Sequence, residues 1–159
     1  MENTFSPQEI LNIAIKVEEN GKTLYGSLEK KAKHDDLKAL WRYLKEQEEI
    51  HRKVFQEMLD NAGDYLVYEV NSGEYQAYLR AIASEYIFTQ ELVEKKIKEG
   101  FFSDIEALNF GIGIEKESIL TYSALREYIT IDKQSVLDKV IDEEKWHLAK
   151  LSALRDSFK

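Results

Sequence analysis

A four-residue pattern that occurs twice constrains this chain more than any other feature of it. Glu18 is followed seven residues later by Tyr25, and Glu48 is followed three residues later by His51. The second half repeats this with Glu115 and Tyr122, then Glu144 and His147. The two Glu positions lie 30 residues apart in the first half and 29 in the second. Spacings of three and seven follow one face of an α-helix, whereas a strand alternates its faces every two residues. The repeat therefore asks for four helices in two related pairs.

The surrounding sequence supplies them. Helix one is announced by Ser6 as cap, Pro7 at the first helical position and Glu9 closing a capping box. Leu11, Ala14, Glu18, Gly21, Tyr25 and Leu28 then form one stripe, which runs through Asn20-Gly21 and argues against a hairpin there. Helix two is expected from Asp35 or Asp36, with Leu37, Leu40, Leu44, Glu48, His51, Phe55 and Met58 on one face and Gly63 as the stop. Helix three opens on a second capping box, Ser103 to Glu106, and carries Ile105, Leu108, Ile112, Glu115, Ile119, Tyr122 and Leu125. Helix four is expected from Asp132, with Leu137, Val140, Glu144, His147, Leu151 and Leu154 inward. Helices one and two, like three and four, are separated by few residues, which makes them antiparallel neighbours. Roughly 40 residues join the two pairs, too many for a plain loop, and "YQAYLRAIASEYIFTQELVEKKIKEG" has helical character of its own. The expected fold is all-α, one antiparallel four-helix bundle over residues 1–159 with a long crossover between helices two and three.

Heights along the helices agree with this. Glu18 and Glu115 each lie 12 residues after their Ser cap, Glu144 lies 12 after Asp132, and Glu48 lies 13 after Asp35. Each is about 18–20 Å into its helix, so all four carboxylates share one level of the bundle. Each also falls on an apolar stripe, as do both His residues. Buried carboxylates are costly unless they are paired or bind metal, and four together repel until some take up protons. Two divalent cations cancel their charge, and His at i+3 reaches the same cluster. A lone Glu-x-x-His is common on acidic helices, and a lone buried His is more often a hydrogen-bonded core residue. Two copies in register point instead to a dinuclear metal site, with Glu18, Glu48, His51, Glu115, Glu144 and His147 as ligands. Carboxylate and imidazole suit iron, manganese and zinc alike. Tyr25 and Tyr122 read either as large core residues or as donors that orient ligand carboxylates.

Other candidates are weaker. His34 is expected as a cap or surface residue. Gly111 and Gly113 form a GxG with no strand before it, a poor nucleotide motif; Gly111, one turn before Glu115, is expected to open room beside the metals. The formal charge of −8 argues against nucleic acid and anionic membranes as partners. No apolar run reaches the roughly 20 residues of a membrane span, and "MENTFSPQEI" lacks the parts of a signal peptide, so a cytoplasmic protein is expected. The absence of Cys removes thiol chemistry and Cys-ligated centres.

"VEENGKTLY" with "EEIH", and "IEKESILTY" with "EKWH", resemble the ferritin-like di-iron carboxylate superfamily across nearly the whole length, in particular rubrerythrin-like proteins without a rubredoxin domain. The resemblance implies terminal ligation by Glu18 and Glu115, bridging by Glu48 and Glu144, and one metal capped by each of His51 and His147. Rubrerythrins carry a further carboxylate one turn after the third-helix Glu, where this chain has Ser118. Bacterioferritins, whose symmetric ligand set is similar, bind haem through a Met where this chain has Glu49, so haem is not expected. The implied activity is that of a non-haem di-iron oxidoreductase reacting with hydrogen peroxide or dioxygen and re-reduced by an external electron donor. An iron-binding ferroxidase or storage protein is the alternative. A homodimer is the expected assembly.

Overall fold

The computed structural model describes residues 6–67 and 73–159. The first five residues, where the reading of the N-terminus falls in part, lie outside the described residues. Four long helices form the bundle: α1 (Pro7–Lys31), α2 (Asp35–Asp60), α6 (Asp104–Leu125) and α7 (Gln134–Ser157). The crossover holds a short α3 (Ala62–Tyr65), α4 (Gly73–Glu85) and α5 (Gln90–Glu99). No helix among the described residues is long and apolar enough to cross a membrane.

Local chemistry sets the helix ends. Ser6 Oγ accepts from Glu9 N at 3.3 Å while Ser6 N donates to Glu9 Oε2 at 2.6 Å, the reciprocal box read from sequence. At α6 only half of the expected box forms. Ser103 Oγ accepts from Glu106 N at 3.1 Å, but the Glu106 carboxylate turns to Phe102 N and to Lys96, which its charge prefers. The stop of α2 is Asn61, not Gly63; Asn61 Nδ2 and N both donate to Glu57 O, closing the last turn, and Gly63 lies inside α3. α7 begins two residues later than expected, because Asp132 sits in a 3₁₀ turn, Ile131–Lys133, that redirects the chain. His34 is the exposed residue before α2; its side chain makes no cap hydrogen bond and faces Asp104 at 3.7 Å.

The apolar stripes meet in two layers. One contains Leu11, Phe55, Met58, Tyr122, Leu125 and Leu137. The other contains Leu24, Tyr25, Trp41, Leu44, Leu108 and Leu151. The six Glu and His residues of the repeat lie between these layers, so apolar packing above and below positions them. At one end the chain reversals pair with each other, Val67 N to Tyr128 O at 2.7 Å and Thr130 N to Tyr65 O at 2.9 Å. The crossover is laid over α1 and α6: Asn20 Nδ2 of α1 donates to Phe88 O, and Ile87 N and Phe88 N donate to the Glu117 carboxylate of α6.

Candidate metal centre

All six repeat residues are buried, none exposing more than 1% of its surface. They form two overlapping sets whose candidate ligand atoms lie within 4.8 Å of one another: Glu18, Glu48, His51 and Glu144 in one, Glu48, Glu115, Glu144 and His147 in the other. Glu48 and Glu144 belong to both sets, and Glu18 and Glu115 to one each.

Glu18 Oε2, both oxygens of Glu48 and Glu115 Oε2 are buried without a hydrogen-bond partner. Buried polar atoms left in that state are rare, and acceptor atoms converging on one space call for a cation. Four carboxylates balance two divalent ions, and the imidazoles add neutral donors. By donor type and charge the residues fit a di-metal site of the kind iron occupies.

Without a cation the cluster holds protons instead. Burial, then the neighbouring Glu18, Glu144 and Glu115, pushes Glu48 well above the usual carboxylate range. Burial and Glu144 do the same to Glu115, and raise Glu18 to about 8. Glu144 is the exception: burial opposes its ionisation, but contacts with Glu115, His147 and His51 hold it below the usual range. His51 Nδ1 donates to Glu144 Oε1 at 2.7 Å, and His147 Nδ1 to Glu144 Oε2 at 3.1 Å. Although burial lowers both imidazoles, Glu144, Glu18 and Glu143 raise His51 to about 9, and Glu115 and Glu144 raise His147 to about 10.

The two tyrosines are not simply core filling. Tyr25 Oη donates to Glu115 Oε1 at 2.5 Å, and Tyr122 Oη donates to Glu18 Oε1 at 2.5 Å. Each reaches the carboxylate of the other half, because α1 and α6 run antiparallel and two turns along one helix arrive beside the other. Tyr25 stacks on Trp41 at 5.6 Å, and Tyr122 packs on Phe55 at 4.6 Å, which fixes both rings. Burial pushes both phenols well above their ordinary pKa, so they stay donors.

The glycine that makes room at the centre is Gly21, not Gly111. A Cβ on Gly21 would collide with the Glu48 carboxylate, whereas one on Gly111 would meet Leu151 at 3.4 Å and Tyr25 at 3.5 Å in ordinary packing. Ser118 is buried, but its Oγ donates to Ile114 O at 3.0 Å within its own helix and adds nothing to the cluster. One participant escaped the sequence reading. Glu143 Oε2 accepts from His51 Nε2 at 2.7 Å. The doubled Glu in "EEKWH" was the available signal, but pairing with a histidine on another helix is not visible in one stretch of chain. A depression of about 360 Å³ at the α2–α7 seam is lined by Ile50, His51, Val54, Val136, Val140 and Glu143 among others.

A search of curated proteins finds no match. Among solved structures the chain resembles a Thermotoga maritima protein described as a ferritin-like diiron-carboxylate protein, with a TM-score of 0.72, 27% identity and full coverage of both chains. The sequence matches the rubrerythrin family over residues 9–155, a span that takes in the crossover and all six Glu and His residues of the cluster. By that match the chain belongs to the rubrerythrin family.

Proposed function

We propose that Glu18, Glu48, His51, Glu115, Glu144 and His147 hold two iron ions in a single di-metal domain. The chain then acts as a non-haem di-iron oxidoreductase on hydrogen peroxide or dioxygen. The observation that carries this reading is the overlap of two four-residue candidate sets in Glu48 and Glu144, which supports a reading of these two as bridges and of Glu18 and Glu115 as terminal ligands. Iron held by these residues would supply the two electrons that, with two protons, reduce hydrogen peroxide to two waters, and an external donor would restore them.

The residues provide geometry and exclusion. Tyr122 and Tyr25 each hold one oxygen of Glu18 and Glu115 by hydrogen bond, leaving the second oxygen free to ligate. Glu143 accepts the His51 Nε2 proton and so keeps Nδ1 facing the cluster. The apolar layers above and below exclude bulk water. The depression at the α2–α7 seam leads a small oxidant toward His51.

Anaerobic reconstitution with Fe(II) tests the reading: elemental analysis is expected to give two irons per chain, and Glu48→Ala or Glu144→Ala to lose both. No iron, or one iron unaffected by those changes, overturns it. Peroxide is expected to oxidise the reduced protein faster than dioxygen. Faster reaction with dioxygen, with uptake continuing beyond two irons per chain, supports ferroxidase or storage activity instead. Ser118→Glu restores a carboxylate one turn after Glu115 and is expected to change the peroxide-to-dioxygen rate ratio.

A further inference from the structure

The repeat that makes the two halves alike in their ligands does not extend to what stands behind the imidazoles. Behind His51, the Glu143 carboxylate of α7 lies 2.7 Å from Nε2. Behind His147, Nε2 is buried and has no partner. Glu143 immediately precedes the Glu of its Glu-x-x-His, and the residue in that place in the first half is Gln47. The chain thus carries a carboxylate at one of two equivalent positions and a neutral amide at the other. The neighbour of His147 is the Tyr43 ring, edge-on at 5.7 Å, with the Lys150 ammonium 4.3 Å above that ring. The repeat gives both sets the same kinds of ligand, and these surroundings separate them.

A carboxylate that accepts the remote N–H of a ligating imidazole fixes its tautomer and orientation and makes the metal-facing nitrogen more basic. An unpartnered nitrogen has none of these aids. We propose that Glu143 is a positioning residue that makes the two metal positions unequal. The position built from Glu18, Glu48, His51 and Glu144 takes a divalent cation first and more tightly than the one built from Glu48, Glu115, Glu144 and His147. His51 and Glu143 both border the depression at the α2–α7 seam, so the tighter position is also the one nearer that depression. This inference rests on the di-metal reading above.

Titration of the metal-stripped full chain with Co(II), followed by calorimetry, tests it. Repulsion between two cations alone would separate the binding steps, so the deciding readouts are which step depends on Glu143 and where the first ion goes. Glu143→Ala is expected to weaken the first step by about 10- to 100-fold, the usual effect of losing such a partner, with little change in the second. Glu143→Gln keeps an acceptor oxygen and is expected to recover part of the loss. Gln47→Glu, a separate change on the other helix, is expected to tighten the second step. A crystal grown at one equivalent of Co(II) should show the ion beside His51. Equal weakening of both steps by Glu143→Ala, no response to either substitution, or the first ion beside His147 overturns the inference. Two cobalt ions bound without dependence on Glu143 remove this inference alone, whereas no cobalt binding removes the di-metal reading beneath it.

Discussion

The two long seams of the bundle are built differently. Along α1 and α6 the crossover forms a roof: Asn20 and Glu117 hold the backbone of residues 87 and 88, Tyr75 Oη donates to Ala124 O at 2.6 Å, and Phe88 packs against Gly113. Along α2 and α7 no such cover lies among the described residues. Ile50 is 51% exposed and Trp146 66%, and the depression beside His51 opens there. The carboxylates assigned as terminal ligands, Glu18 and Glu115, come from the roofed seam, and both imidazoles come from the open one. A buried di-metal centre needs one side sealed, to hold charge out of water, and one side that small molecules can reach. Under the di-metal reading, the two requirements would fall on different helix pairs.

The largest expected effect is on the coupling of the seams through metal. Under the di-metal reading, Glu48 and Glu144 together with Glu18 and Glu115 would hold the ions, and metal would then tie the open seam to the roofed one. Binding to the native state alone adds about 4 kcal/mol at a thousandfold excess over Kd. Chemical denaturation with and without Fe(II) measures it, and hydrogen exchange in the metal-free protein should rise more in α2 and α7 than in α1 and α6. Equal loss of protection in all four helices would break the comparison.

The same cluster predicts opposite pH trends with and without metal. Glu48 and Glu115 are raised well above 4.5, Glu18 to about 8, His51 to about 9 and His147 to about 10. The native metal-free protein therefore keeps protons that the unfolded chain has released. Their contribution is complete below the unfolded pKa values and is lost as pH rises through the folded ones. Glu144, held low, acts in the opposite sense, and its contribution is lost only as pH falls below the carboxylate range. Metal-free stability should fall steadily from pH 6 to 10. With Fe(II) present the ions displace those protons, so the stabilisation by metal should grow over the same range and release protons to an unbuffered solution. Parallel denaturation curves for the two forms across this range would contradict the assignment of protons to the cluster.

Two glycine substitutions sharpen the contrast at smaller magnitude. Gly21→Ala places a methyl against the Glu48 carboxylate and Gly113→Ala places one against the Phe88 ring. Each should cost about 1–3 kcal/mol of overpacking, offset in part by the better helix propensity of Ala, about 1 kcal/mol. Only Gly21→Ala should also weaken metal binding, since Gly113 supports the roof. Thermal denaturation with metal titration of both variants separates the two outcomes.

The smallest expected effect belongs to the open seam. Val54 lines the depression and is not one of the six residues assigned to the metals, so Val54→Phe narrows it without removing a ligand. It should slow oxidation by peroxide several-fold in stopped-flow measurements and leave metal stoichiometry and stability nearly unchanged. An unaltered rate would mean that the oxidant arrives by another route.

Much of the fold was legible because it is written locally. The Ser6 box, the Asn20-Gly21 passage through a helix, and the inward placement of Glu18, Glu48, His51, Glu115, Glu144 and His147 all follow from periodicity within single helices. Helix ends that depend on neighbours were less legible. Glu106 leaves its box for Lys96 and Phe102, and the turn at Ile131–Lys133 delays α7, because partners far along the chain compete with the local signal.

The sequence by itself determined which side chains face inward and at what height, since helical spacing sets both before any helix meets another. Only the tertiary structure decided what those side chains meet. Tyr25 serves Glu115 and Tyr122 serves Glu18 because α1 and α6 run antiparallel. Gly21 matters for Glu48 because α1 and α2 approach closely at that level. Glu143 supports His51 while His147 has no such partner, because the partner of each imidazole comes from another helix. Periodicity is a property of one segment, whereas distance and orientation between segments arise from packing of the whole core, and it is there that two copies of one motif become unequal.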